Sequence, residues 1–438
     1  MFALADQLET IMPTHLEGTV VRTVGMSIAV AGMPAPVGAL VGVDRGAAGI
    51  LEAEVVGFQD NCTLVYPLDD IAGVRRGNQV RLLRTVRWFR VGDELLGRVI
   101  DSRGRAIDGR PQPALADRTL LERTPPNPVE RPRIDTPLST GVRAIDALLT
   151  CGKGQRMGIF SGSGVGKSVL LGMMSRYTSA DVNVIALIGE RGREVNEFIE
   201  RDLGPEGRAK SVVVVATSDQ PALVRVRAAL VATAVAEYFR DRGRDVLLVM
   251  DSLTRFALAQ REIGLAAGEP PTTRGFPPSV FGMLPRLVER AGRSRRGSIT
   301  AFYSVLVEAD DANEPISDAV RGLLDGHTWL SRKLASRGHF PAIDVLESIS
   351  RLMNDVAPES QRNAAVAFRE LLAAYRDHED LISIGAYRRG SNPTVDTAIE
   401  VKEALHRFLR QTTDESSTLE SAQSMLIELM EKSLESRV

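Results

Sequence analysis

Cysteine, tryptophan and long apolar runs are all scarce in this chain. Its 438 residues include two cysteines, Cys62 and Cys151, too few for a disulfide framework or a zinc cage. That scarcity points to a reducing compartment. An excess of either charge is missing as well: 54 Lys and Arg against 56 Asp and Glu leave a formal net charge of −2. A near-neutral total argues against a generalised electrostatic grip on nucleic acid, and no nucleic acid partner is expected. No window reaches the ~20 apolar residues of a membrane span, and MFALADQLETIMPTHLEG lacks the basic start and apolar run of a signal peptide. The expectation is a cytoplasmic protein whose membrane contact is peripheral.

What is present is a length and an apolar share (44 %) sufficient for two or three domains with real cores. Residues 17 to 90 are dense in Val and Gly, with short alternating runs such as GTVVRTVGMSIAVAGM, and read as a small β domain of barrel type. Proline-rich sequence from 111 to 137 (RPQP, RTPPNPVERPRIDTPL) excludes helix interiors and central strands, and reads as an ordered connector. Beyond it, RMGIF, VNVIALIG, SVVVVA, DVLLVMD and SITAFYSVLV are apolar on both faces and alternate with helical segments. That is the pattern of a parallel sheet covered on both sides. From about 360 the period turns helical, with Ala398, Val401, Leu405, Phe408 and Leu409 at three- and four-residue spacing. We therefore expect an α/β protein: an N-terminal β-barrel domain over 1–92, an α/β core over 93–362 and a C-terminal α-helical domain over 363–438. Near the start, Phe2, Ala5, Leu8, Ile11 and Met12 fall at helical spacing, either to face the core or to dock a partner.

The segment SGSGVGKSVLLGMM begins at Ser161, where the phosphate-loop pattern G-x-x-x-x-G-K-S/T asks for glycine. The loop lies between an apolar strand and a helical segment, the context such a loop requires. Gly162, Gly164 and Gly166 let backbone N–H groups converge on an anion, with Ser163, Val165 and Val169 completing the turn. Lys167 is placed to contact the β- and γ-phosphates of ATP, and the Ser168 hydroxyl to ligate Mg²⁺. DVLLVMD supplies the acidic partner, Asp251, at the end of an apolar strand. The next residue is Ser252 rather than Glu, so a general base must come from elsewhere. GERGREVNEF puts Glu190 at the C-terminal end of another strand, where open α/β sheets gather their active groups. Glu190 is the candidate base, and Arg191 the candidate to hold the phosphate or Glu190 itself.

Together these motifs resemble the catalytic subunits of the rotary ATP synthase family and their relatives that energise type III protein export. DSLTRFALAQREIGLAAGEPP, TRGFPPSVF, FYSVLVEADDANEPISDAVRGLLDGH and FPAIDVLESISR carry the likeness, and RTPPNPVERPRIDTPLSTGVRAID is similar to the flagellar and injectisome branch in particular. The resemblance implies a RecA-like P-loop core, a homohexamer with ATP bound between neighbours, and Arg351 of SISR reaching into the adjacent subunit's site. It also implies that Phe340 presents its ring to adenine and that Arg255 lies near the catalytic pocket. Implied partners are export substrates and their chaperones, a central-stalk protein, a stator-like regulatory protein at the N-terminal segment and a membrane export gate. The expected location is peripheral to the inner membrane at the export apparatus. Glu190 and Arg351 occur in one chain, so identical copies complete their own sites. Ala309 stands where export families usually have Gly. The expected function is ATP hydrolysis energising flagellar export. Its alternatives are an injectisome ATPase, a rotary synthase catalytic subunit and a Rho-like RNA translocase, the last needing stacking aromatics from among Phe58, Tyr66, Trp88 and Phe89.

Overall fold

The computed structural model describes residues 16–307 and 314–435. Phe2 to Met12 and Ala309 lie outside the described residues.

Six short strands follow one another at the N-terminus: β1 (Glu17–Val24), β2 (Ser27–Ala31), β3 (Leu40–Asp44), β4 (Ile50–Gln59), β5 (Cys62–Pro67) and β6 (Gln79–Arg84). They close into a barrel in the order β1-β2-β5-β4-β3-β6, every pairing antiparallel. Closure removes the exposed edges that an open sheet of this size would carry. Inward-facing Val20, Val30, Val41, Val55, Val65 and Val80 fill the interior. Four aromatics were candidates for a stacking surface. Tyr66 is fully buried and Phe89 nearly so, while Arg84 and Arg118 flank the Trp88 ring; only Phe58 among them is largely exposed.

β7 (Trp88–Val91) leaves the barrel and pairs with β9 (Asp117–Leu120), while β8 (Arg98–Asp101) joins the central sheet. The proline-rich connector is ordered by side chains: Asn127 accepts from Val129 N, and Arg131 donates to the carbonyls of Glu289 and Ala291. β10 (Pro137–Leu138) and β11 (Cys151–Gly152) bracket the first α-helix among the described residues, α1 (Arg143–Leu148).

The central sheet is built from β12 (Arg156–Ser161), β13 (Val182–Glu190), β14 (Ser211–Thr217), β15 (Asp245–Asp251), β17 (Ser298–Leu306), β18 (Gly326–Leu330) and β19 (Ile343–Ser350), with β16 (Gly292–Arg293) beside β17. Its order is β19-β18-β12-β17-β15-β13-β14-β8, parallel throughout except for β19 and the short β16. The β13 sequence VNVIALIG is buried on both faces because alternate residues point to opposite sides. Val184, Ala186 and Ile188 pack against α4 (Ala222–Asp241), α5 (Leu253–Ala266) and α6 (Pro278–Val288). Ile185 and Leu187 face α1, α2 (Lys167–Tyr177) and the C-terminal helices. Each fully buried aliphatic side chain contributes ~2 kcal/mol, which is why these strands read as uninterrupted apolar runs.

Three helices end the chain: α8 (Glu359–Ser383), α9 (Pro393–Leu409) and α10 (Leu419–Glu435), with α3 (Gly192–Glu197) and α7 (Pro315–Leu323) preceding them in the core. Gln361 of α8 is fully buried, donates to Asp146 O, Ala147 O and Thr150 Oγ1, and accepts from Gln423 of α10. One side chain thus fastens two C-terminal helices to α1. At the other end, Tyr66 donates to Glu262 (2.9 Å), and Glu54 lies 3.1 Å from Arg87 and 3.6 Å from Arg227, fixing the barrel on α4 and α5.

Candidate functional site

The phosphate loop occupies the turn from β12 to α2, at the C-terminal edge of the parallel strands. Gly164 (φ +77°) and Gly166 (φ +89°) take the left-handed conformation, which a side chain there would strain. Gly166 is the N-cap residue of α2, so the helix opens directly onto the loop. Val165 anchors the turn inside the core, whereas Ser163, Gly164 and Ser168 face solvent. Ser161, at the position of the expected glycine, is the last residue of β12. Its hydroxyl is buried and has no hydrogen-bond partner, so the extra side chain is housed inside and leaves the loop clear.

Lys167 is the centre of a charge cluster. Its ammonium group pairs with Asp251 and lies 3.7 Å from Glu190 Oε1. Asp251, only 3 % exposed, also accepts from Ser304 Oγ at 2.5 Å. Ser252, not Asp251, caps α5 by accepting from Arg255 N. The Asp251 carboxylate is therefore committed to Lys167 and Ser304 rather than to the helix end. Burial pulls the Lys167 ammonium down, yet Asp251 and Glu190 outweigh it and its pKa is raised. The Glu190 carboxyl is pushed up to about 7, first by burial and then by the Asp251 charge, with Lys167 and Arg255 opposing.

Glu190 owes its place to the residue before it. Gly189 has φ +70°, and a Cβ there would stand 3.0 Å from Arg255 Cβ. The strand can turn out at its end only because Arg255 packs over a bare backbone. Arg191 is not brought into this cluster: its side chain is 79 % exposed and lies 3.7 Å from Glu194, three residues along α3. Local helical spacing competes successfully for a residue in a charge run. Ser304 went unread in the sequence; the available signal was a serine near the C-terminal end of β17, beside the strand that ends at Asp251.

Phe340 borders the other side of the loop. Its ring carbons would meet a Cβ on Gly166 at 3.4 Å, and it is 46 % exposed. Ring and loop share a cavity of about 1170 Å³ with Val169, Met173 and Phe408, a size and lining suited to a nucleoside. Arg351 stands elsewhere. β18 runs parallel to β12 and β19 returns antiparallel, Gly326 opposite Ser350, so Arg351 emerges at the far end of the sheet. That end is roughly 13 Å down the strands from the loop, beyond an arginine's reach to its own Lys167.

For a divalent cation the fit is of one kind. Among the described residues no group of three or more His, Cys, Asp or Glu forms a metal cage. Asp251 and the exposed Ser168 hydroxyl suit a hard cation that takes few protein ligands and fills its shell with phosphate and water oxygens, as Mg²⁺ does.

The sequence and the fold have known counterparts. Residues 141–350 match the ATP synthase alpha/beta family, nucleotide-binding domain, and residues 357–428 match the T3SS EscN ATPase C-terminal domain. The flagellum-specific ATP synthase of Bacillus subtilis is 52 % identical over 98 % of this chain and 98 % of its own length. The type 3 secretion system ATPase of Xanthomonas euvesicatoria is 50 % identical over 97 % and 96 %. Among solved structures, the assembled ATPase EscN of the enteropathogenic E. coli type III secretion system superposes with a TM-score of 0.90 at 46 % identity, covering 94 % of this chain and all of that one. EscN in complex with its central stalk EscO gives 0.87 at 45 % identity over the same shares. With this likeness running nearly end to end through barrel, core and C-terminal helices, the chain belongs to the type III export ATPases, a branch of the ATP synthase alpha/beta family.

Proposed function

We propose that the protein hydrolyses ATP to energise type III export in a flagellar apparatus, promoting the release of substrates from their chaperones and their entry into the export gate. The observation that carries the hydrolytic reading is the triad beneath the phosphate loop: Lys167 held between Asp251 and Glu190. The loop and α2 N-terminus bind the phosphates, and Phe340 stacks on adenine. Asp251 and Ser168 hold Mg²⁺, which screens phosphate charge when bound with the nucleotide. Glu190, poised near neutrality, accepts the proton of the water attacking the γ-phosphate. Arg351, too far from its own loop, serves a neighbouring copy in a homohexamer, where a cation on the transferring phosphoryl group is worth about 10³ to 10⁵ in rate.

EscN is described as assembled and in complex with a central stalk, which supports a ring and a stalk partner here. No helix among the described residues is long and apolar enough to cross a membrane, in keeping with peripheral attachment at the gate. A stator-like protein docking on the N-terminal segment completes the proposal. Of the aromatics an RNA translocase would stack on its barrel, Tyr66 and Phe89 are buried, which favours export.

The test is gene deletion in the source organism with complementation by wild type and Glu190→Gln. Loss of filament assembly restored by wild type alone supports the reading. Normal swimming with loss of another secreted set transfers the protein to an injectisome.

A further inference from the structure

One wall of the cavity beside the phosphate loop is the turn between α9 and α10, residues 410 to 415. A turn of this kind has no ladder of its own to fix it, so its position depends on what grips it. One side chain makes three of the bonds that grip it or its flank. Arg143 of α1, 7 % exposed, donates through Nε to Phe408 O (2.8 Å), through Nη2 to Arg410 O (2.5 Å) and through Nη1 to Glu415 Oε1 (2.5 Å). Its guanidinium carbon also stands 5.8 Å from the Phe408 ring centroid.

The gripped turn is itself wired to the site. Gln411 spends both ends of its amide within the fold, accepting from Arg143 N and donating to Gly141 O and Glu415 O, so it is a strut rather than a reader of the base. Its backbone N–H donates to Phe340 O at 3.1 Å. Thr413 O accepts from Arg176 Nη2 (2.7 Å) and Tyr177 OH (3.0 Å), the last two residues of α2, whose first residue is Lys167. A displacement of the turn therefore reaches the aromatic platform directly and the phosphate-loop helix through its far end.

We propose that Arg143 is a positioning residue for nucleotide binding: by holding the α9–α10 turn against α1, it sets the cavity wall and the placement of Phe340. This rests on the reading above that the cavity takes the nucleoside. Arginine is needed because its planar fork spans two carbonyls and a carboxylate at once, which an ammonium group cannot do.

The experiment uses the full chain and a fluorescent ADP analogue, mant-ADP with Mg²⁺, alongside steady-state hydrolysis. Arg143→Ala should weaken mant-ADP binding and raise KM for ATP at least about fivefold, with kcat at saturation within about twofold of wild type. Arg143→Lys, which keeps charge and bulk, should recover part of the affinity; if the alanine variant does not fold, a weakening of at least about twofold in the lysine variant carries the test. Gln423→Ala removes a hydrogen bond of the same helical region away from the cavity, and should lower the melting temperature while leaving mant-ADP affinity unchanged. The proposal is overturned if folded Arg143 variants bind as wild type does, or if Gln423→Ala weakens binding as much as Arg143→Ala. Failure of wild type to bind mant-ADP overturns the nucleotide reading itself, and this inference with it.

Discussion

Glu190 approaches to 3.7 Å of the Lys167 ammonium group from one side while Asp251 holds that group from the other. The two carboxylates share one cation, and burial first, then the Asp251 charge, raises the pKa of the more exposed one, Glu190, to about 7. A base in this state works when deprotonated, so kcat/KM for ATP should fall as pH drops through about 7 and level off above it. Glu190→Gln should cut turnover by roughly 10²- to 10⁴-fold, retain nucleotide binding, and abolish that acid limb. A pH–rate profile of both proteins checks it. Near wild-type turnover in the assembled variant removes Glu190 from the role of base.

The buried ion pair between Glu237 of α4 and Arg290 sets a stability prediction. Arg290 donates to both carboxylate oxygens (3.0 and 2.8 Å) and to Leu121 O, with the two side chains 1 % and 3 % exposed. It thereby ties the connector, just after β9, to the core. Glu237→Ala strands a guanidinium in the interior, which costs about 3–5 kcal/mol. Chemical denaturation should show a loss of that order, while KM for ATP is unchanged in the protein that remains folded. A loss under about 1 kcal/mol would mean water or another carboxylate takes over the arginine.

What the sequence made legible is what local chemistry determines. Lys167, Asp251 and Glu190 could be placed because each follows an apolar strand, and parallel strands bring their C-terminal ends to one edge. The fates of Arg191 and Arg143 could not. Arg191 sits in the charge run ERGRE, where the partner three residues ahead and the partner across the site look alike in one dimension. Arg143 meets residues some 265 positions away, and a docked helical region leaves no register in the sequence from which to read that contact. Ser161 reads as a defect in a motif until the fold turns its hydroxyl inward.

His339 and His406 face each other between the core and α9, ring centroids 5.5 Å apart at 74°. His339 is 2 % exposed, and its pKa is lowered to about 4, mainly by burial, with His406 and Arg410 adding to the effect. Lys402, Arg410, Glu403 and Glu379 surround His406, whose pKa is lowered as well. The unfolded chain binds protons on these rings at pH values where the native state does not. The stabilisation is complete above about pH 6.5 and is lost as pH falls towards 4. Melting temperature should therefore decline across that window in wild type and decline less in His339→Leu. Parallel curves would show that the ring titrates alike in both states.

Arg351 and Glu190 lie at opposite ends of one sheet, so a ring of identical copies would bring one subunit's arginine to the next subunit's glutamate. Arg351→Ala should lose turnover by at least about 10³-fold while each chain still binds nucleotide. Glu190→Gln should be inactive for a different reason, with its arginine intact. Mixing the two inactive proteins under conditions that let rings exchange subunits should restore activity, because an Arg351→Ala chain supplies a complete glutamate face to a Glu190→Gln neighbour that supplies the arginine. Random mixing at equal amounts makes about one site in four complete. Steady-state hydrolysis of the mixture checks it. A mixture as inactive as its components, with exchange shown by cross-linking, would place the arginine and the base within one chain's own site and exclude a shared one.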